Sequence, residues 1–76
     1  MAAIKPIHYS KLVRVFELDG WICDRTKGDH LIYIKIGHKR PVVIPKWNLV
    51  PVFIIQNNLR TAGLSRERYL ELLAQV

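Results

Sequence analysis

The fold is decided by residues 21–45, which read WICDRTKGDHLIYIKIGHKRPVVIP. Three short segments rich in aromatic and β-branched residues alternate there with turn-forming residues. The segments are 21–26, 30–36 and 42–44, and the turns are 27–29 and 37–40. Pro41 and Pro45 bracket the last segment, and proline cannot donate a ladder hydrogen bond, so this strand belongs at an edge. We therefore predict a three-stranded antiparallel meander.

Helical patterns flank the meander on both sides. Ser10 is the expected N-cap of a first helix, which Gly20 ends. Pro51 is expected at the first position of a second helix that ends at Gly63, and Ser65 is expected to cap a third. Each helix carries an apolar stripe: Tyr9, Leu12, Val13, Phe16; Val52, Ile55, Leu59, Ala62; and Tyr69, Leu72, Leu73, Val76. The predicted fold is α+β in the order α-β-β-β-α-α, with helices packed on one face of the sheet.

Size and composition limit the class of protein. A chain of 76 residues, 50% hydrophobic, fits one small folded domain spanning 1–76. The longest apolar run, 49–55, is far shorter than the roughly 20 residues of a membrane helix. Residues 1–6 lack the apolar region of a signal peptide, so we predict a cytoplasmic protein. Cys23 is the one cysteine of the sequence, so we predict no internal disulfide, and we expect its thiol to be buried. The three histidines do not have the spacing of a zinc motif, so we predict no metal site.

Positive charge is concentrated in the predicted sheet. The chain has a formal net charge of +6, and the segment 25–46 holds six basic residues against the single acidic Asp29. The basic residues are Arg25, Lys27, Lys35, Lys39, Arg40 and Lys46. Because His30, Tyr33 and Trp47 lie in or beside the same stretch, a nucleic-acid surface is favoured, with cations on phosphates and rings on bases. The alternative is a solvated face whose lysines prevent edge-to-edge aggregation.

The motifs of this stretch resemble those of a known family. Residues 20–30 read GWICDRTKGDH, 42–45 read VVIP and 59–65 read LRTAGLS. Together they are similar to the HicA toxin family, whose pattern is R-x-K-G-S-H, then V-x-V-P and L-R-x-A-G-L-S. The resemblance runs from about Tyr9 to Leu73. It implies a double-stranded-RNA-binding-domain-like fold, ribonuclease action on messenger RNA, and inhibition by a HicB-type antitoxin.

The resemblance also implies the catalytic residue, because the family's histidine falls on His30. RNA carries its own nucleophile, so a base that accepts the 2′-hydroxyl proton can start cleavage without a metal or a small-molecule cofactor. Nearby Arg25 and Lys27 could hold the phosphate. A backbone N–H at Gly28 could approach the phosphate closely because glycine has no Cβ. The further predicted RNA contacts are Lys39, Arg40 and Lys46.

The sequence departs from the family pattern at two places. Asp29 replaces the serine of G-S-H, and residues 50–53 read VPVF where the family carries a basic segment. Asp29 could repel the phosphate, in which case its replacement by serine raises cleavage, and this is our expectation. The alternative is that Asp29 orients the His30 ring and raises its basicity. Alternation does not decide which face of the second strand is buried, because both faces are apolar.

Two other functions compete with a ribonuclease toxin. The first is an RNA-binding module of the same fold that does not cleave. The second is a DNA-binding protein, because 59–73 reads as helix–turn–helix with Arg66 and Arg68 opening the second helix. Glu67 and Glu71 lie among these arginines while the positive charge lies on the sheet, so this alternative ranks last.

Overall fold

The computed structural model describes residues 3–76; Met1 and Ala2, which belong to the predicted domain 1–76, lie outside the described residues. The elements are α1 Tyr9–Leu18, β1 Ile22–Lys27, β2 His30–Ile34, β3 Val42–Pro45, α2 Val52–Ala62 and α3 Arg66–Leu73. The sheet order is β1-β2-β3 and both strand pairs are antiparallel. The predicted meander, the edge position of β3 and the α+β, double-stranded-RNA-binding-domain-like fold are confirmed.

The register of the strands determines which face of β2 is buried. Tyr33 pairs with Val42, and Leu31 pairs with Ile44. Tyr33, Val42 and Ile44 belong to the core that the three helices complete, and Leu31 packs against that core. His30, Ile32 and Ile34 therefore point to the opposite face, because successive side chains of a strand alternate. We call this second surface the outer face.

Strand β1 lies outside the cover of the helices. All six of its residues are exposed, because it pairs with β2 alone while the helices pack on β3 and on one another. The strand also contains a β-bulge at Asp24, where the register shifts between Cys23 and Arg25. Cys23 is consequently exposed. The predicted burial of this thiol is wrong because the edge strand extends past the core.

The predicted helix ends are partly confirmed. Gly63 ends α2 in the left-handed region with φ +66°, and the Ser65 hydroxyl accepts a hydrogen bond from the Arg68 N–H at 3.1 Å. The N-cap of α1 is His8 rather than Ser10, because the His8 ring nitrogen Nδ1 accepts the Ser10 N–H. Pro51 is the N-cap of α2 and not its first helical residue.

One polar contact ties the sheet to α1 across the core. The Tyr33 hydroxyl donates a hydrogen bond to Glu17 Oε2 at 3.2 Å. Burial and the nearby carboxylate of Glu17 raise the pKa of Tyr33 to about 12, and burial alone raises the pKa of Tyr69 to about 12. Their stabilising contribution is therefore complete below pH 10 and is lost as the pH rises towards 12, because the unfolded chain ionises first.

Among the described residues no helix is long and apolar enough to cross a membrane.

Candidate functional site

A two-residue turn places the candidate site at one end of the sheet. Gly28 and Asp29 connect β1 to β2 between the paired residues Lys27 and His30. Gly28 adopts φ +61° while Asp29 has a negative φ, as in a type II′ turn, whose first central position requires glycine. Apart from the adjacent residues of the turn itself, no described atom lies within 4 Å of the position that a Cβ at Gly28 would occupy. The backbone of this turn is therefore open to a ligand.

His30 is the first residue of β2 and lies on the outer face. Its cross-strand neighbours are Lys27 on β1 and Pro45 on β3, so all three side chains occupy one row across the sheet. The His30 side chain is 45% exposed. An ionisable ring is thus held at the surface opposite a lysine of the neighbouring strand, and a large ligand can reach the ring without any opening of the core.

The carboxylate of Asp29 contacts the His30 ring directly. Asp29 Oδ1 lies 2.8 Å from His30 Nδ1, which is a good hydrogen-bond distance. In a neutral ring, a hydrogen bond to this carboxylate requires the proton to be on Nδ1, which makes Nε2, on the other side of the ring, the nitrogen able to accept a proton. The geometry favours the orienting role of Asp29 over the repelling one. It therefore runs against the expectation that serine at this position raises cleavage.

Two of the predicted phosphate-binding residues, Arg25 and Lys46, lie near the turn but make different contacts. Arg25 lies on the outer face opposite Ile32, and its guanidinium already pairs with the carboxylate of Asp24. Lys46 follows β3 directly, and its N–H donates to the Asp29 carbonyl at 2.7 Å, so the end of β3 is joined to the turn. The turn end of the sheet consists of Lys27, Gly28, Asp29, His30 and Lys46.

Lys39 and Arg40 lie at the opposite end of the sheet. They belong to the connection between β2 and β3, which starts after Ile34. Ile34 lies four residue steps after His30 on β2, which is about 13 Å at 3.3 Å per residue. Along the chain Lys39 and Arg40 belong to the same basic segment as the residues around His30, but the β2–β3 connection places them at the other end of the sheet.

A second histidine lies at this opposite end. The ring centroid of His38 is 4.9 Å from that of the buried Trp21, in an edge arrangement. Asp19 accepts a hydrogen bond from Trp21 Nε1 at 3.1 Å and forms an ion pair with Lys35 at 3.4 Å. The loop end of the sheet consists of Asp19, Trp21, Lys35, His38, Lys39 and Arg40. Its acidic group already serves two partners within the fold.

Two features of the outer face are not among the sequence predictions. Pro45 lies opposite His30, which a count of residues from the turn at Gly28 indicates. Ile22, Ile34 and Val43 are exposed, and no pattern in β2 distinguishes its two apolar faces. Within residues 3–76, no group of three His, Cys, Asp or Glu side chains is arranged to hold a metal ion.

Comparison with known proteins gives one match. Residues 9–64 match the family model described as HicA toxin of bacterial toxin-antitoxin, which covers well over half of the chain. The matched region includes α1, the whole sheet and α2. Neither a curated protein nor a solved structure gives a significant match.

Proposed function

The chain belongs to the HicA family of bacterial toxins, and on that premise we propose that it is an endoribonuclease that cleaves messenger RNA with His30 as its general base. Membership of a toxin–antitoxin family makes the chain a toxin and gives it an antitoxin as partner. Both the RNA substrate and the assignment of the antitoxin to the HicB type belong to the proposal.

The observation that carries the proposal is the half-exposed His30 ring between a carboxylate and a lysine. Asp29 contacts Nδ1 at 2.8 Å, so Nε2 is the ring nitrogen that remains to act on a ligand. A general base must lie within hydrogen-bond reach of the proton that it removes. On an open face with a backbone turn beside it, a ribose 2′-hydroxyl can come within that distance.

The chemistry needs no group from outside the chain and the RNA. His30 Nε2 accepts the proton of the 2′-hydroxyl, and the 2′-oxygen forms a bond to the adjacent phosphorus. The bond from phosphorus to the 5′-oxygen breaks, and that oxygen takes up a proton from water. The products are a 2′,3′-cyclic phosphate and a 5′-hydroxyl end. Lys27, opposite His30 in the ladder, offsets the negative charge that develops on the phosphoryl oxygens.

A single histidine sets an upper limit on the rate. General base catalysis typically contributes about 10²- to 10⁴-fold. We therefore propose a slow nuclease, whose toxicity follows from the nature of its substrate rather than from rapid turnover.

The test is incubation of the pure protein with a structured RNA in EDTA, followed by analysis of the fragment ends. We expect fragments that carry 2′,3′-cyclic phosphates. An intact RNA that nevertheless binds the protein would support the non-cleaving RNA-binding module instead. The DNA-binding alternative ranks last, because Glu67 and Glu71 accompany Arg66 and Arg68 on α3, whereas segment 25–46 holds six basic residues against one acidic residue.

A further inference from the structure

Two exposed aromatic side chains take no part in the proposed chemistry. Trp47 is 39% exposed and Phe53 is 61% exposed. Four other aromatic rings are buried in the core, namely Phe16, Trp21, Tyr33 and Tyr69. Because burial of an aromatic ring contributes strongly to folding, two rings left at the surface within the short segment 47–53 indicate an interaction site.

The backbone holds Trp47 close to the candidate catalytic histidine. The Lys46 N–H donates to the Asp29 carbonyl at 2.7 Å, and Pro45 lies opposite His30 in the ladder. Trp47 follows Pro45 by two residues, so its Cα lies within about 13 Å of the His30 Cα. An RNA strand whose ribose reaches His30 therefore brings neighbouring nucleotides to Trp47.

Phe53 lies on the solvent side of α2. The exposed residues of this helix recur at intervals of three and four, which places them in one stripe. They are Phe53, Gln56, Asn57 and Arg60. The start of the helix is fixed relative to Trp47, because Ile7 pairs with Val50 and the Tyr9 N–H donates to the Trp47 carbonyl at 3.2 Å. Both rings thus belong to one segment whose course is set by the fold.

The charge around the two rings favours RNA as the ligand. Residues 30–66 contain no Asp or Glu, and Lys46 and Arg60 bracket the uncharged stretch 47–59. By contrast, α3 has Glu67 and Glu71 among its exposed residues. Bases stack on aromatic rings while cations hold the adjoining phosphates. An RNA strand therefore uses both features of this surface, whereas a protein partner would use the rings without needing the cations.

We infer that Trp47 and Phe53 are base-stacking residues for unpaired nucleotides beside the cleavage position. The inference rests on the proposed RNA substrate and adds a preference to it. Bases inside a duplex stack on each other, so an unpaired base is the one that can present its face to a ring. The protein is thus expected to bind single-stranded segments in preference to duplex RNA, although its fold is like that of double-stranded-RNA-binding domains.

The test measures the affinity for a single-stranded RNA oligonucleotide in the His30→Ala background, which prevents cleavage during the titration. Trp47→Leu and Phe53→Leu each replace a ring by an apolar side chain that has no π-face. Each change should weaken binding by about 5- to 100-fold, as for the loss of one stacked base. Trp47→Phe and Phe53→Tyr keep a ring and should retain the affinity. Binding of the same oligonucleotide annealed to its complement should be weaker and unaffected by the leucine changes.

Tryptophan fluorescence gives a separate readout of the stacking. The chain has two tryptophans, and Trp21 is buried, so quenching by RNA reports on Trp47. The single strand should quench this emission and the duplex should not. Trp47→Leu should abolish the quenching.

A matched control separates stacking from general apolar contact. Leu49 is 64% exposed, close to the 61% of Phe53, and lies between the two rings along the chain. Leu49→Ala should leave RNA affinity unchanged, because leucine has no ring on which a base can stack. Thermal unfolding of each variant checks the fold, and Phe53→Leu keeps the test decisive even if Trp47→Leu folds poorly.

Several outcomes would overturn the inference. They are unchanged single-strand affinity in a folded Phe53→Leu protein, equal binding of single strand and duplex in the His30→Ala background, and a loss in Leu49→Ala as large as that in Phe53→Leu. Leucine variants that lose affinity for the antitoxin but not for RNA would assign the rings to a protein interface instead. Failure of the proposed function is seen separately, as intact RNA after incubation with a wild-type protein whose Trp47 emission the single strand still quenches.

Discussion

The two ends of the sheet contain similar groups in different arrangements. Each end has a histidine, a carboxylate and lysines. At the turn end the carboxylate contacts a half-exposed ring, whereas at the loop end the carboxylate binds groups of the fold itself. Asp29 contacts the half-exposed His30 ring, while Asp19 is shared between the indole N–H of the buried Trp21 and the ammonium of Lys35. The amino-acid composition of the two ends is similar. What distinguishes a candidate catalytic carboxylate from a structural one is therefore the group that the carboxylate contacts.

The largest expected effect distinguishes the two histidines. His30→Ala should lower single-turnover RNA cleavage by about 10²- to 10⁴-fold, because the general base is lost, and it should abolish growth arrest. His38→Ala should leave both unchanged, because His38 lies at the loop end against Trp21. RNA affinity should survive in both variants. If a folded His30→Ala protein cleaved RNA as fast as the wild type, the turn end of the sheet would have no catalytic role that the loop end lacks.

The next effect concerns the stability of the fold. Asp19→Ala removes the acceptor of the Trp21 Nε1 hydrogen bond, and Trp21 is only 1% exposed. Leaving a buried donor unsatisfied costs about 1 to 3 kcal/mol in the free energy of unfolding. Asp29→Ala should change that free energy by less than about 0.5 kcal/mol, because its carboxylate is at the surface. Urea denaturation of both variants measures the difference, and equal losses would contradict it.

A smaller effect is expected from the contact between Asp29 and His30. Asp29→Ser should slow cleavage by roughly tenfold, because the ring loses the group that fixes its proton on Nδ1 and its orientation. Rates of the wild type and the variant across pH 5–9 give the test, since a positioning group alters the pH profile while a purely structural one does not. Faster cleavage by the serine variant would instead mean that the main effect of Asp29 is to repel the phosphate of the RNA.

The smallest effect compares two lysines. Lys27→Ala and Lys39→Ala should each flatten the salt dependence of RNA binding by about one phosphate contact. Lys27→Ala should in addition slow cleavage at saturating RNA, because Lys27 lies opposite His30 and Lys39 lies beyond the far end of β2. A binding assay with the His30→Ala background separates affinity from turnover. Identical behaviour of the two lysines would mean that the sheet presents one undivided basic surface.

Local features of the chain were predictable from the sequence. The turn at Gly28, the left-handed end of α2 at Gly63 and the cap at Ser65 depend on the conformational preferences of a few adjacent residues, and the structure has all three. The edge position of β3 follows in the same way from Pro41 before the strand and Pro45 at its end. The family motif also singled out His30, whose role remains a proposal.

The tertiary structure alone decided which chemistry these elements support. Both faces of β2 are apolar, so only the packing of the helices against Leu31 and Tyr33 turns His30 and Ile34 towards the outside. The basic residues of 25–46 look like one cluster along the chain, but the antiparallel hairpin sends Lys39 and Arg40 to the far end of the sheet. Cys23 is exposed because β1 extends past the helices. Sequence proximity determines turns and caps, whereas burial and the separation of charges depend on residues that meet only after the chain has folded.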